Sequence, residues 1–181
     1  MSGLTMEQWK SVPEDILRPR LTRWFNVTRS KGLIGYWPCA AYGQTQIRRS
    51  RNASRPWALS LVARLKQEGY GVMQFGHPND YADCGGSLGT FDARNFSFME
   101  QIIASLGCDL VIGTDSGAGI AIGAYEHPQI SLLTDHYPGH TENLTAFQPW
   151  NPNNRSLVRV GSADAISIDE VAQLVHDIAK A

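Results

Sequence analysis

Charge is scarce in this sequence: Asp, Glu, Lys and Arg make up 18% of 181 residues, and the formal net charge is -1. That balance argues against bulk attraction to nucleic acid through an overall basic surface, so any anionic partner must be recognised locally. Cysteine is scarce too. Cys39, Cys84 and Cys108 are odd in number, widely spaced and without a C-x-x-C pair, which argues against a disulfide framework or a thiolate zinc site and predicts reduced thiols in a cytoplasmic protein. No apolar run reaches the length of a membrane span, and the opening MSGLTMEQWKSVPED has no basic-then-apolar leader layout. Without such a leader, the five N-x-S/T sequons beginning at Asn26, Asn52, Asn95, Asn143 and Asn154 read as chance. What remains is the composition of an ordinary globular protein, 43% hydrophobic and long enough for one domain with its own core.

The most informative stretch is CDLVIGTDSGAGIAIGAYEHPQISLL, residues 108–133. Leu110, Val111 and Ile112 read as a strand that opens through Gly113-Thr114 onto Asp115-Ser116-Gly117, followed by a helix of small residues and a second apolar strand ending at Leu132-Leu133. A strand that empties into a Gly/Ser turn at a helix start presents unpaired backbone N–H groups and the positive end of a helix dipole, which is chemistry suited to phosphate.

The remaining elements read in order around that stretch. Residues 1–31 predict a peripheral helical segment whose Leu21, Trp24 and Phe25 pack on the main body, residues 32–181. The first strand is Leu33-Ile34-Gly35-Tyr36-Trp37, stopped by Pro38 and followed by a polar connection holding Arg48, Arg49, Arg51 and Arg55. Such a loop is either a solvated surface or, if it overhangs the carboxyl edge of a parallel sheet, a source of forked bonds to phosphate.

A helix is predicted over 57–68, with Ala58, Leu61, Val62 and Leu65 on one face and Gly69 as its stop. The second strand, 71–75, exits through Gly76-His77-Pro78-Asn79-Asp80, where Asp80 is either a ribose ligand or a turn cap. Residues 81–95 read as a glycine-rich lid loop. Ser97 and Glu100 form a capping box for a helix expected to turn Phe98, Ile102, Ile103 and Leu106 inward. After Leu133 comes a polar, proline-marked connection in which His136 and His140 are four apart; Pro138 and Gly139 between them argue against a helical metal site. His140 and Thr141 are instead within reach of a ligand at the sheet edge. Residues 157–160 read as one more strand, and a second capping box, Ser167 to Glu170, opens a last helix with Val171, Leu174, Val175 and Ile178 at helical spacing. Strand and helix alternate, which predicts an α/β, three-layer Rossmann-like parallel sheet with helices on both faces.

Four features occur together: a Gly-bearing exit after the first strand, G-x-P-x-acid after the second, a capped helix leading into DLVIGTDSG, and a small-residue helix leading into HPQISLL. This set resembles the carboxyl-terminal, nucleotide-sugar-binding domain of the heptosyltransferase-like GT-B glycosyltransferases, also called glycosyltransferase family nine. The resemblance covers residues 32–133 and, more loosely, the rest. It implies that Asp115, Ser116 and Gly117, with Ala118 beside them, form the turn that cradles a diphosphate, that Asp80 falls where the family's acid meets the nucleoside, and that Arg48 or Arg49 supplies a cation. With Gly76, His140 and Thr141, these are the candidate substrate contacts; no cofactor or metal is implied.

Two departures from the family pattern stand out. Ile120 occupies the position of the family's histidine after D-S-G-x-x, and the family's amino-terminal acceptor lobe has no counterpart here. The first reading is therefore a domain that binds a nucleotide-diphosphate sugar and takes part in glycosyl transfer to an acceptor hydroxyl, with the acceptor lobe supplied by a partner chain or a homo-oligomer. Asp83, Asp92 and Asp135 are the carboxylates available as base. A second reading is a non-catalytic nucleotide-binding or assembly module. A third, a nucleoside deoxyribosyltransferase-like enzyme, needs a nucleophilic glutamate on the small-residue helix, where Ile120 and Ile122 stand and Glu126 lies at the far end. Thr114-Asp115-Ser116-Gly117 does not make the G-x-S-x-G elbow of a serine hydrolase.

Overall fold

The computed structural model describes residues 31–40, 51–80, 88, 90–134 and 151–179. Its core is a six-stranded, all-parallel sheet formed by β1 (Leu33–Trp37), β2 (Gly71–Gln74), β3 (Phe91–Asp92), β4 (Leu110–Thr114), β5 (Gln129–Thr134) and β6 (Asn154–Arg159). The strands lie in the order β3-β2-β1-β4-β5-β6. The chain thus builds outward from β1 to β3 and then returns to the other side of β1. That reversal leaves a crevice beyond the carboxyl ends of β1 and β4, where open α/β sheets receive ligands.

Among the described residues, four helices cover the sheet: α1 (Arg55–Gln67), α2 (Phe98–Leu106), α3 (Gly117–Gly123) and α4 (Ile168–Ala179). Strand alternation sorts their packing. From β1, Ile34 and Tyr36 enter the layer shared with Leu61 and Leu65 of α1 and Val171 and Val175 of α4. Leu33 and Trp37 enter the opposite layer with Ile102 of α2 and Ile122 of α3. β1 is therefore buried along its whole length, which is why it reads as an apolar run rather than as an alternation. A side chain such as Leu61, fully buried, contributes about 1.5–3 kcal/mol relative to exposure.

Local signals set the helix ends. Ser54 caps α1 by accepting the Trp57 N–H, Pro56 sits in its first turn, and Gly69 follows it with φ at +92°. α1 thus starts two residues before the sequence-based start at 57. The capping box of α2 is formed in both directions, between Ser97 Oγ and the Glu100 N–H and between the Glu100 carboxylate and the Ser97 N–H. At the start of α4 the Glu170 carboxylate accepts the Ser167 N–H.

Two expectations are corrected. Within the supposed lid loop of 81–95, Phe91–Asp92 pairs with Met73 and Gln74 as β3, and buried Gln74 reaches out to accept the Leu88 N–H. Phe98 does not turn inward: it is 53% exposed, because it is the first residue of α2 and overhangs the sheet edge instead of lying on it. Residues 1–30, 41–50, 81–87 and 135–150 fall outside the described residues, and with them nearly all of the expected peripheral segment and Arg48, Arg49, His136, His140 and Thr141. Cys108 carries a free, buried thiol. Among the described residues, no helix is long and apolar enough to cross a membrane.

Candidate functional site

A cavity of about 480 Å³ opens at the carboxyl edge of the sheet, within the size range of small-molecule sites. Four successive exits wall it. Trp37 ends β1, and Cys39 and Ala40 follow it; Gly76, His77, Pro78 and Asp80 follow β2; Arg94 to Phe98 and Gln101 come from the β3 exit and α2; Ser116, Gly117 and Ala118 open α3. The topology thus brings Gly76, Asp80, Ser116, Gly117 and Ala118 to one place, although about forty residues separate the two groups in sequence.

On the α3 side, Ser116 is the N-cap and its hydroxyl accepts the Gly119 N–H, while its carbonyl accepts from Ile120. The Gly117 and Ala118 N–H groups make no hydrogen bond among the described residues and stand at the positive end of a short helix dipole. A Cβ placed on Gly117 meets nothing within 4 Å, so the space in front of this turn is open. Asp115 is not among the lining residues. Its carboxylate instead lies 3.9 Å from Arg51 Nη1, which places Arg51, just ahead of α1, beside the β4 exit. Ile120 is 58% exposed on the first turn of α3. α3 itself carries no carboxylate, so the nucleophile that a deoxyribosyltransferase mechanism requires is missing from it.

On the β2 side, Asp80 is buried and its Oδ2 accepts the His77 N–H at 2.8 Å, while the Asp80 N–H donates to the His77 carbonyl. Gly76 makes this turn possible: its φ is +129°, and a Cβ there would run into Asp80 Oδ2. Burial pushes the Asp80 carboxyl above its usual value, more than the opposing pull of the His77 N–H, His77 and Arg94.

Arg94, also buried, forks onto Asp92 through Nε (2.8 Å) and Nη2 (2.6 Å), and its Nη1 donates to the Asp80 carbonyl at 2.7 Å. The Arg94 bonds hold the Asp92 carboxyl below its usual value against the opposing effect of burial. Gln101 accepts the Gly76 N–H at 2.8 Å and donates to the Phe96 carbonyl. Trp37, stacked on Phe75 at 5.3 Å and edge-on to Phe98, supplies an aromatic wall, with its indole N–H donated to Ser105 Oγ. Among the described residues, no three His, Cys, Asp or Glu side chains converge to hold a metal ion.

Sequence reasoning did not find Arg94, Gln101 or Trp37 as members of this site. Arg94 sits alone in a glycine-rich stretch, Gln101 looks like a surface helix residue, and Trp37 looks like strand core. The only local signal was the acid-x-Arg spacing of Asp92 and Arg94.

A doubly wound parallel sheet with a ligand-sized cavity at its switch point defines the chain as a Rossmann-like α/β domain. Solved structures narrow the fold to that of the heptosyltransferase-like GT-B proteins. The chain superposes on E. coli ADP-heptose lps heptosyltransferase II with a TM-score of 0.67 at 16% identity, over 91% of this chain and 51% of that one. The family 9 glycosyl transferase from Veillonella parvula DSM 2008 gives a TM-score of 0.67 at 15% identity, with the same coverage. E. coli heptosyltransferase WaaC with ADP gives 0.59 at 15%, over 90% and 48%. The chain spans about half the length of these proteins. No protein-family model and no curated protein sequence matches it.

Proposed function

We propose that this chain binds a nucleotide-diphosphate sugar in the cavity at its sheet edge and takes part in glycosyl transfer to an acceptor hydroxyl. The observation that carries the reading is the convergence of the open Ser116-Gly117-Ala118 turn and the buried Asp80 on one cavity of about 480 Å³. In this arrangement the diphosphate lies against the Gly117 and Ala118 N–H groups, and Asp80 takes the hydroxyls of the nucleoside. The sugar then projects from the mouth of the cavity. In the transfer step the anomeric C–O bond to the diphosphate breaks and the acceptor oxygen bonds to the anomeric carbon. A base removes the acceptor proton, and donors at the α3 turn stabilise the departing diphosphate. The fold likeness to heptosyltransferases favours this class.

A second reading, binding without turnover, has its own supporting observation. Of the three carboxylates available as base, Asp92 has both oxygens bonded to Arg94 and its pKa held down, which makes it a poor proton acceptor; Asp83 and Asp135 lie outside the described residues. Incubation with UDP- and ADP-sugars separates the two readings. Stabilisation against thermal unfolding together with release of nucleoside diphosphate in the presence of an acceptor supports transfer. Stabilisation without release, unchanged in Asp83→Asn and Asp135→Asn, supports the module, and no stabilisation by any nucleotide sugar refutes both.

A further inference from the structure

The exit of β2, residues 76–80, is gripped at both ends by a single neighbouring segment. At its start the Gly76 N–H is held by Gln101 Oε1 at 2.8 Å, and at its end the Asp80 carbonyl is held by Arg94 Nη1 at 2.7 Å. Arg94 is in turn locked by its fork onto Asp92 in β3, and Gln101 by its bond to the Phe96 carbonyl. Arg94 and Gln101 are 6% and 4% exposed. Arg94 and Gln101 both line the cavity, yet the hydrogen bonds of each run to the protein rather than into open space.

We propose that Arg94 and Gln101 are positioning residues: together they clamp the 76–80 turn so that Asp80 presents a fixed carboxylate to the cavity, and this preorganisation gives the site its selectivity for a vicinal diol. The inference rests on the nucleotide reading above and assigns one part of the ligand, the ribose, to the β2 side.

Rigidity of the turn decides this selectivity. A carboxylate that must bridge two adjacent hydroxyls discriminates against a deoxy ligand only if it cannot relax toward the remaining hydroxyl. Asp80 Oδ2 is already engaged by the His77 N–H, so the turn as a whole must be held. The charged and titratable groups acting on Asp80 are His77 on its own turn and Arg94 from the β3 exit, and Asp92 faces Arg94 from β3. Arg94 therefore both holds the backbone of Asp80 and favours its ionised form, which is the better acceptor for hydroxyls.

The test is calorimetric titration of the full chain with ADP and UDP and with their 2′-deoxy counterparts, read as the ratio of the deoxy to the ribo dissociation constant. A bond from a charged group to one hydroxyl predicts a ratio of about tenfold for the wild type. Asp92→Asn keeps the shape of the side chain while loosening the fork, and Arg94→Lys keeps the charge while losing the two-point grip; Gln101→Met releases Gly76. The ratio is expected to fall below about threefold in each. Far-UV circular dichroism selects the variants that remain folded, and Asp92→Asn, altering a partly exposed side chain, is the mildest of the three. Loss of overall affinity with the ratio kept near tenfold would mean a merely structural role and overturn the inference. So would a wild type that binds ribo and deoxy ligands equally, although the nucleotide reading would then survive. A wild type that binds none of the four ligands removes the nucleotide reading, and this inference falls with it.

Discussion

Replacing Gly117 by Ala separates the needs of the fold from the needs of the ligand. No heavy atom lies within 4 Å of the added Cβ, and the residue opens α3, so the methyl group finds room and restricts the unfolded chain. Helical Gly→Ala changes of this kind stabilise by about 0.5 kcal/mol at a helix start. For a chain of this size that raises Tm by about 1–2 °C. The same methyl group enters the space in front of the Gly117 and Ala118 N–H groups, where phosphate oxygens must come within about 3 Å to bond. A tenfold loss of affinity is expected. With nucleoside diphosphate at one hundred times the wild-type dissociation constant, ligand stabilisation then drops from about 2.7 to about 1.4 kcal/mol. In a thermal-shift assay the ligand-induced rise should fall by about half, while the unliganded protein melts slightly higher than wild type. A lower Tm without ligand would refute the packing argument. An undiminished ligand shift would refute the placement of the diphosphate.

Other expected outcomes concern the β2 exit and the opposite end of β5. Gly76→Ala forces a positive φ on an L-residue and pushes against Asp80; it should cost on the order of 1–3 kcal/mol, read as a lower urea midpoint, and weaken nucleotide binding as well. Asp80 carries a pKa above the usual 3.8, so the folded state binds its proton more tightly than the unfolded state does. Stability therefore declines as pH rises from about 3.8 through the folded value, and Asp80→Asn, which keeps an oxygen for the His77 N–H, should be at least as stable as wild type at pH 7 while losing diol binding. His127 has the opposite slope: burial lowers its pKa from 6.5, so its contribution is complete above that value and is lost as pH falls below it. His127→Gln should flatten the part of the pH–stability curve just below pH 6.5 in denaturant titrations.

The elements that sequence revealed and those it concealed differ in a physical way. β1, β4 and β5 are buried on both faces and read as apolar runs, and the cap of α2 is written in four consecutive residues, Ser97 to Glu100. β3 is two residues long, too short for any periodicity, and exists because Met73 and Gln74 of β2 offer it an edge. The α3 turn was legible because strand, turn and helix are contiguous. The β2 side of the cavity was only half legible: Asp80 has a positional signal after its strand, whereas Arg94 and Gln101 acquire their partners through the pairing of β2 with β3 and the packing of α2. Phe98 was misread because helical spacing aligns it with Ile102, while spacing does not tell where a helix passes beyond the edge of its sheet. The cation near Asp115, Arg51, comes from a loop more than sixty residues away, and no local signal in the sequence pairs the two.

Calorimetric titration of the wild type and of Ser116→Trp with ADP, UDP and their sugar conjugates tests the central claim most directly. The indole of the variant fills the α3 side of the cavity, and loss of the Ser116 cap costs only about 1 kcal/mol, so the fold should persist. Saturable one-to-one binding of at least one nucleoside diphosphate is expected for the wild type and none for Ser116→Trp. Equal binding by both proteins, or binding by neither, would contradict it.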